Sequence, residues 1–302
     1  MANASDLTSH PADMEERGAP LRHTPWADGK RPFSIAMSPI ALEDWLELDP
    51  RREADLTEKA AILATDPAAV CIMPGTDEAA AEVHGLIGGD LTRQGVPLFP
   101  VAPPAALADG TPLAASPLAA AAMMVPDDLV IMRRGADAWH LAAGVVAFPS
   151  AWLLPEKFGQ PMDAIHRSVP GWEGPMARRV ARIFDNLVVD QPVWRLNWSV
   201  QFGGGLAIPA DKHVRPPAER VADTLVRVER QTLRRLRTGD LLFTIKVMVD
   251  PVEAFARHPD GRHLAWSLAD QIDRLDPAQL AYKGLSAVRD TLSARLRALV
   301  AS

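Results

Sequence analysis

The apolar positions of this chain change period twice. In the first third, Ile40, Trp45 and Leu46 space themselves as one helical stripe after Ser38-Pro39, a cap followed by Pro at the first helical position. A second helix is expected from Arg52 to Ala64. A third starts at Thr76 and carries Ala81, Val83, Leu86, Ile87 and Leu91 to about Gln94. Pro97–Pro117 is rich in Pro and Ala and reads as a long irregular connection. From Asp127 the period drops to two: Leu129–Met132, a Gly135-Ala136-Asp137 turn and Trp139–Phe148 form a hairpin. A helical insert covers about Gly159 to Leu187. Three more strands follow at Val193–Phe202, Thr224–Leu236 and Leu241–Val249, the last two joined by Arg237-Thr238-Gly239-Asp240. Helices then close the chain at Pro251–Ala256, His263–Leu275 and Leu285–Leu299. Helices, five antiparallel strands interrupted by one insert, then helices again predict an α+β fold on one sheet.

Residues 1–32 show no periodicity and are polar with scattered Pro and Gly, so they read as a flexible arm ahead of a single domain over 33–302. A chain of 302 residues with 48% hydrophobic and 23% charged residues can bury a large core. Its net charge of −6 disfavours nucleic acid or an anionic membrane as partner, because both reward a concentrated positive field. The apolar stretches are too short or too broken by Pro to span a bilayer, and the acidic start lacks the apolar region of a secretory signal, so a cytoplasmic protein is expected. Cys71 is the only cysteine, which leaves no intrachain disulfide, thiolate zinc site or four-cysteine cluster. There is no dinucleotide or P-loop glycine string. Any electrons for redox chemistry are therefore expected from another chain.

Two sets of residues could carry chemistry. His166 follows Ile165 at the end of a short helical piece inside the insert, which must pack across the sheet. Its imidazole could ligate iron through one ring nitrogen while the other donates to a backbone carbonyl; spacing alone favours a capping or core histidine. The remaining histidines read as exposed or weakly placed: His10 and His23 in the arm, His84 on a polar helix side, His140 in the hairpin, His213 in a basic loop, His258 and His263 at a polar turn. The second set lies on strands. Arg195 and Asn197 share one face of theirs; in the next, Arg227, Glu229, Gln231 and Leu233 share one face, and Val228, Arg230, Thr232 and Arg234 the other. Charges among Trp and Val cost free energy unless paired or bound to a ligand. They could anchor an anionic ligand group or orient a polar substrate; a surface Glu229–Arg pair on an edge strand explains them equally well.

The string VVAFPSAWLLPEKFGQPMDAIHRSVPGW, then VWRLNWSV and VRVERQTLRRLRTGDLLFTIK, resembles the α-subunit-like family of haem-dependent oxidative N-demethylase. Pro39–Asp49, the AAEVHG helix and the YKGL string at Tyr282–Leu285 fit as well. Ser168 and Arg237 stand where the family pattern has Pro. The resemblance implies an enlarged PAS-like, five-stranded antiparallel sheet holding haem b, with His166 as the proximal iron ligand. It makes Arg195, Asn197, Glu229 and Arg230 candidates for the catalytic distal pocket, with Arg195 and Arg230 also candidate propionate anchors. Lys157 becomes a cofactor-side candidate that, with Gly159, shapes the turn into the insert. The implied reaction is the oxygen-dependent, reductant-driven oxidation of a small methylated amine such as dimethylamine, releasing formaldehyde. Electrons would come from a partner flavin and iron–sulfur reductase using NADPH, alongside a folate-binding subunit. The alternative implied by a PAS-like fold is a haem-binding sensor or a non-catalytic subunit.

Overall fold

The computed structural model describes residues 21–300 apart from 31, 36 and 209–217. The period-two stretches pair into one antiparallel sheet of seven strands: β1 (Ser38–Pro39), β2 (Val70–Ile72), β3 (Asp128–Arg134), β4 (Trp139–Val145), β5 (Val193–Phe202), β6 (Thr224–Arg235) and β7 (Leu241–Pro251). Their order is β1-β5-β6-β7-β3-β4-β2. The five expected strands occupy the middle, and the expected count of five is corrected by two short edge strands. Segments of two or three residues cannot show a period, so the sequence pattern could not declare them. Ser38-Pro39 is one of these edges rather than a helix start. Pro39 pairs with Val193, and Ile40 donates its backbone N–H to Pro192 O at 3.0 Å, so tertiary pairing claims a dipeptide that would also suit a helix. Only a 3-10 turn at Leu42–Asp44 follows.

One face of the sheet is covered by two groups of helices. Helices α1 (Arg52–Thr65), α2 (Asp77–Arg93) and α3 (Pro117–Ala122) pack Leu63, Val83, Ile87 and Leu118 against Leu129, Ile131 and Leu242. The opposite face receives the insert, which comprises α4 (Leu154–Lys157), α5 (Met162–Ile165) and α6 (Pro175–Asn186). Its Met162, Trp172, Val180 and Phe184 form a core with Val130, Met132, Leu233 and Leu241. The insert approaches closely at Gly144 of β4, where a Cβ would lie 2.9 Å from Leu154 Cδ1. Helices α7 (Gly261–Asp273), α8 (Pro277–Tyr282) and α9 (Arg289–Ala298) bury their stripes with Trp198, Val228 and Met248 on the first face. The expected helix at Pro251–Ala256 is a 3-10 segment, Val252–Arg257.

Packing begins earlier than Phe33. Leu21 and Trp26 are buried, and Trp26 donates its Nε1–H to Leu264 O at 3.0 Å. The rest of the expected arm, 1–20, lies outside the described residues, as do His10 and His213. No described helix is long and apolar enough to cross a membrane.

Candidate functional site

Strand alternation and register assemble the polar set on the insert-facing side of the sheet. Arg195 sits opposite Gln231 and Asn197 opposite Glu229 across β5 and β6. Glu229 is the hub. Its Oε1 accepts from Arg227 Nε at 3.1 Å, and its Oε2 accepts from Gln231 Nε2 at 2.9 Å and Asn197 Nδ2 at 3.3 Å. Burial would raise its carboxyl, but the Arg227 charge and these donors outweigh it and hold Glu229 below the usual carboxylate range, so it is ionised. The network then fixes the amides. Gln231 turns its Oε1 to Arg195 Nε, 2.7 Å away, and Asn197 is left presenting Oδ1.

The two arginines of this face differ in what they leave open. Arg227 is fully engaged, with Nη2 donating to Phe148 O at 2.8 Å and Nη1 to Leu206 O. Arg195 uses only Nε; neither of its terminal nitrogens has a partner among the described residues. Burial lowers the Arg195 guanidinium, which Glu229 and Tyr282 oppose. Phe243 and Ile245, on the same side of β7, are only half-buried, so the sheet is not closed over by the insert at this point.

His166 lies on the insert, near enough for the Arg195 charge to act on it. It is the C-cap of α5, a helix of one turn started by Pro161, and its backbone N–H closes that turn on Met162 O. The side chain bonds the same carbonyl, Nδ1 to Met162 O at 3.0 Å. A carbonyl can only accept, so Nδ1 carries the hydrogen and Nε2 holds a lone pair with no partner among the described residues. The ring stacks on Trp172 with centroids 4.1 Å apart and planes 14° apart. Burial, with the charges of Arg195 and Lys157, lowers the His166 pKa to about 4 against the bond to Met162, so the imidazole is neutral at pH 7. A neutral imidazole with one nitrogen tied to a carbonyl is the form that ligates a metal.

The other expected residues separate. Lys157 ends α4 near enough for its charge to act on His166, and it makes no ion pair among the described residues. Arg230, grouped above with the site, points to the opposite face. It is 2% exposed, and donates to Asp44 O at 2.7 Å and Trp45 O at 2.9 Å with Glu47 at 3.5 Å, so all its donors hold the 44–47 segment. Alternation requires this separation: consecutive residues of β6 cannot share a face. His23 is not free in solvent but bonds Glu47 at 2.8 Å. His140 bonds Ala138 O at 3.1 Å, within its hairpin.

Three participants escaped the sequence reading. Gln231 was visible in the alternation as a residue of the correct face. Trp172 lies in the VPGW string just after His166. Tyr282 arrives from the far end of the chain: Lys283 donates to the β5 edge carbonyl of Trp198 at 2.6 Å, which docks α8 beside the strand. Burial raises the Tyr282 phenol, and the nearby Glu229 charge raises it further while Arg195 opposes. Only the tertiary fold brings it there.

The arrangement is a neutral imidazole on the insert, within electrostatic reach of a guanidinium that lies beside an ionised carboxylate and an amide oxygen on a partly apolar sheet face. One imidazole cannot hold a free divalent ion, and among the described residues no cluster of three His, Cys, Asp or Glu could. A metal bound to His166 must bring its other ligands with it, as a metal in a macrocycle does. Residues 36–293 match the family described as haem-dependent oxidative N-demethylase, alpha subunit-like.

Proposed function

Because the chain belongs to the haem-dependent oxidative N-demethylase alpha-subunit-like family, we propose that it holds haem b between His166 and the Arg195–Glu229 face and oxidises a small methylated amine. The observation that carries this reading is His166 itself: Nδ1 is tied to Met162 O, Nε2 has no partner among the described residues, and the Arg195 charge acts on the ring. The residues fit the group. His166 Nε2 would hold the iron, Phe243 and Ile245 would offer an apolar floor, and Arg195 with Lys157 would supply cations for the haem carboxylates. The five central strands with the insert on one side support the PAS-like reading. When bound, haem supplies the one-electron and dioxygen chemistry that no side chain here can perform.

The protein's part is binding and orientation. A carboxylate has about four acceptor positions, and Glu229 fills three, so its Oε1 retains room for an ammonium N–H of an amine such as dimethylamine. Its ionised state keeps that ammonium paired, and Asn197 Oδ1 is placed to take a second N–H or to hold a water. The Arg195 terminal nitrogens serve a propionate or polarise a bound oxidant from the same side. Release of one methyl as formaldehyde requires electrons from outside the chain, which fits a partner flavin and iron–sulfur subunit using NADPH, with a folate-binding subunit to take up the formaldehyde.

The test is oxygen uptake by the haem-loaded protein with NADPH and a surrogate flavin and iron–sulfur reductase. The reading expects dimethylamine to increase uptake and to yield formaldehyde in proportion. Uptake independent of amine, with no formaldehyde, rejects it.

A further inference from the structure

The bond from His166 Nδ1 to Met162 O sets the direction of the imidazole, yet one hydrogen bond leaves the ring free to tilt about it. The second constraint is a plane. Trp172 lies parallel to the ring within 14° at 4.1 Å between centroids. The indole is itself immobilised at both ends: it is 6% exposed, and its Nε1–H donates to Asp163 Oδ1 at 3.0 Å. Asp163 belongs to the same one-turn helix that His166 caps, so helix, indole and imidazole form one closed unit.

The chain returns over the imidazole by successive tight turns. Val169 N–H donates to His166 O at 2.8 Å and Trp172 N–H to Val169 O at 3.1 Å. Gly171 and Gly174, at φ +76° and +74°, flank the indole in the left-handed region, where a Cβ would strain the backbone although space is open around it. The glycines serve conformation, and the conformation serves to seat Trp172.

We propose that Trp172, locked by Asp163, is the positioning residue that fixes the plane of the His166 imidazole and thereby the axial field of the iron. This rests on the reading of His166 as the iron ligand. Groups beyond the direct ligands orient and tune a metal, and their loss costs about 10-fold to 100-fold in metal affinity.

The experiment has two arms, run on wild type, Trp172→Leu, Trp172→Phe, Asp163→Asn and His166→Ala. In the metal-free protein, NMR of the imidazole protons reads the stack directly. The indole ring current shifts them upfield in wild type; Trp172→Leu removes the shift, Trp172→Phe retains part, and Asp163→Asn reduces it. In the haem-loaded protein, electron paramagnetic resonance and the midpoint potential read the axial field. Trp172→Leu moves both and weakens haem affinity about 10-fold, Asp163→Asn moves them the same way but less, and Trp172→Phe restores most of the wild-type values. Wild-type imidazole shifts in both Trp172→Phe and Asp163→Asn, with a wild-type spectrum and potential in Asp163→Asn, overturn the proposal whether Trp172→Leu is unchanged or misfolds. Imidazole shifts that respond as expected while His166→Ala keeps a wild-type haem spectrum show that the stack exists but the ligand assignment is wrong, and the proposal falls with that assignment.

Discussion

Arg230 and Arg195 sit on neighbouring strands of one sheet, the first buried and the second half-buried, and they belong to different regions in the physical sense. On the face covered by α1–α3 and α7–α9, Arg230 is engaged on Asp44 O, Trp45 O and Glu47, and Lys246 on Glu47 O and the Asp49 carboxylate at 2.7 Å. On the insert face, Arg195 keeps both terminal nitrogens open, Asn197 its oxygen and His166 its Nε2. Buried polar groups are ordinarily hydrogen-bonded. Open valence gathered in one place therefore marks where a ligand belongs, whereas buried charge by itself does not. Arg227 sharpens the distinction, since it lies on the insert face and is fully engaged there.

Substitutions on the two sides should therefore fail differently. Arg230→Leu leaves the Asp44 and Trp45 carbonyls without their donor and removes one cation from Glu47, which keeps His23, and should cost about 3 kcal/mol of stability, measured by denaturant unfolding. Acid should attack the same region. Burial pushes the Glu47 carboxyl up, but His23, bonded to it, and the charges of Lys246 and Arg22 hold it at about 2, against an ordinary value of 4.5. A folded pKa below the unfolded one contributes stability that is present above pH 4.5 and lost as pH falls toward 2. The contribution is roughly 3 kcal/mol at most, and Glu47→Gln should flatten the stability curve across that window.

Asp128 has the opposite sign. It accepts N–H bonds from Ala147 and Phe148, and burial raises it from 3.8 to about 6 despite the charge of Lys59. Its protonated form stabilises the fold below pH 3.8, and that contribution fades as pH rises through 6. It is about 3 kcal/mol at most, and Asp128→Asn should remove the change over that range. Arg195→Leu, by contrast, should alter stability by only about 1 kcal/mol, since it forfeits one side-chain hydrogen bond, while haem affinity measured by titration falls about 10-fold. Equal stability losses for Arg195→Leu and Arg230→Leu would erase the distinction between the two faces. The smallest effect is expected at Tyr282→Phe, which keeps the ring against Phe33 and removes only the hydroxyl near Arg195 and Glu229; KM for the amine should rise by less than about 10-fold with folding unchanged.

The central sheet was legible because alternation is a local property: Arg195 and Asn197 among Trp194, Leu196 and Trp198 declare both a strand and its two faces. The same alternation separates Glu229 from Arg230, and only the shared ERQTL string had joined them. The edge strands were not legible, because Ser38–Pro39 and Val70–Ile72 acquire extended structure from their partners β5 and β4 rather than from their own pattern. His166 stood out by its place in the insert, but its open Nε2 and its indole partner depend on turns at Gly171 and Gly174 that composition does not declare. Tyr282 reaches the site from a C-terminal helix on a sequence separation that no local pattern records.

Chemical rescue tests the proposed bond between His166 Nε2 and iron most directly. Absorption spectra of haem-loaded His166→Gly should lack the wild-type Soret band, and added imidazole, entering the vacated position, should restore it. A wild-type band in His166→Gly without imidazole contradicts the assignment and moves the ligand elsewhere.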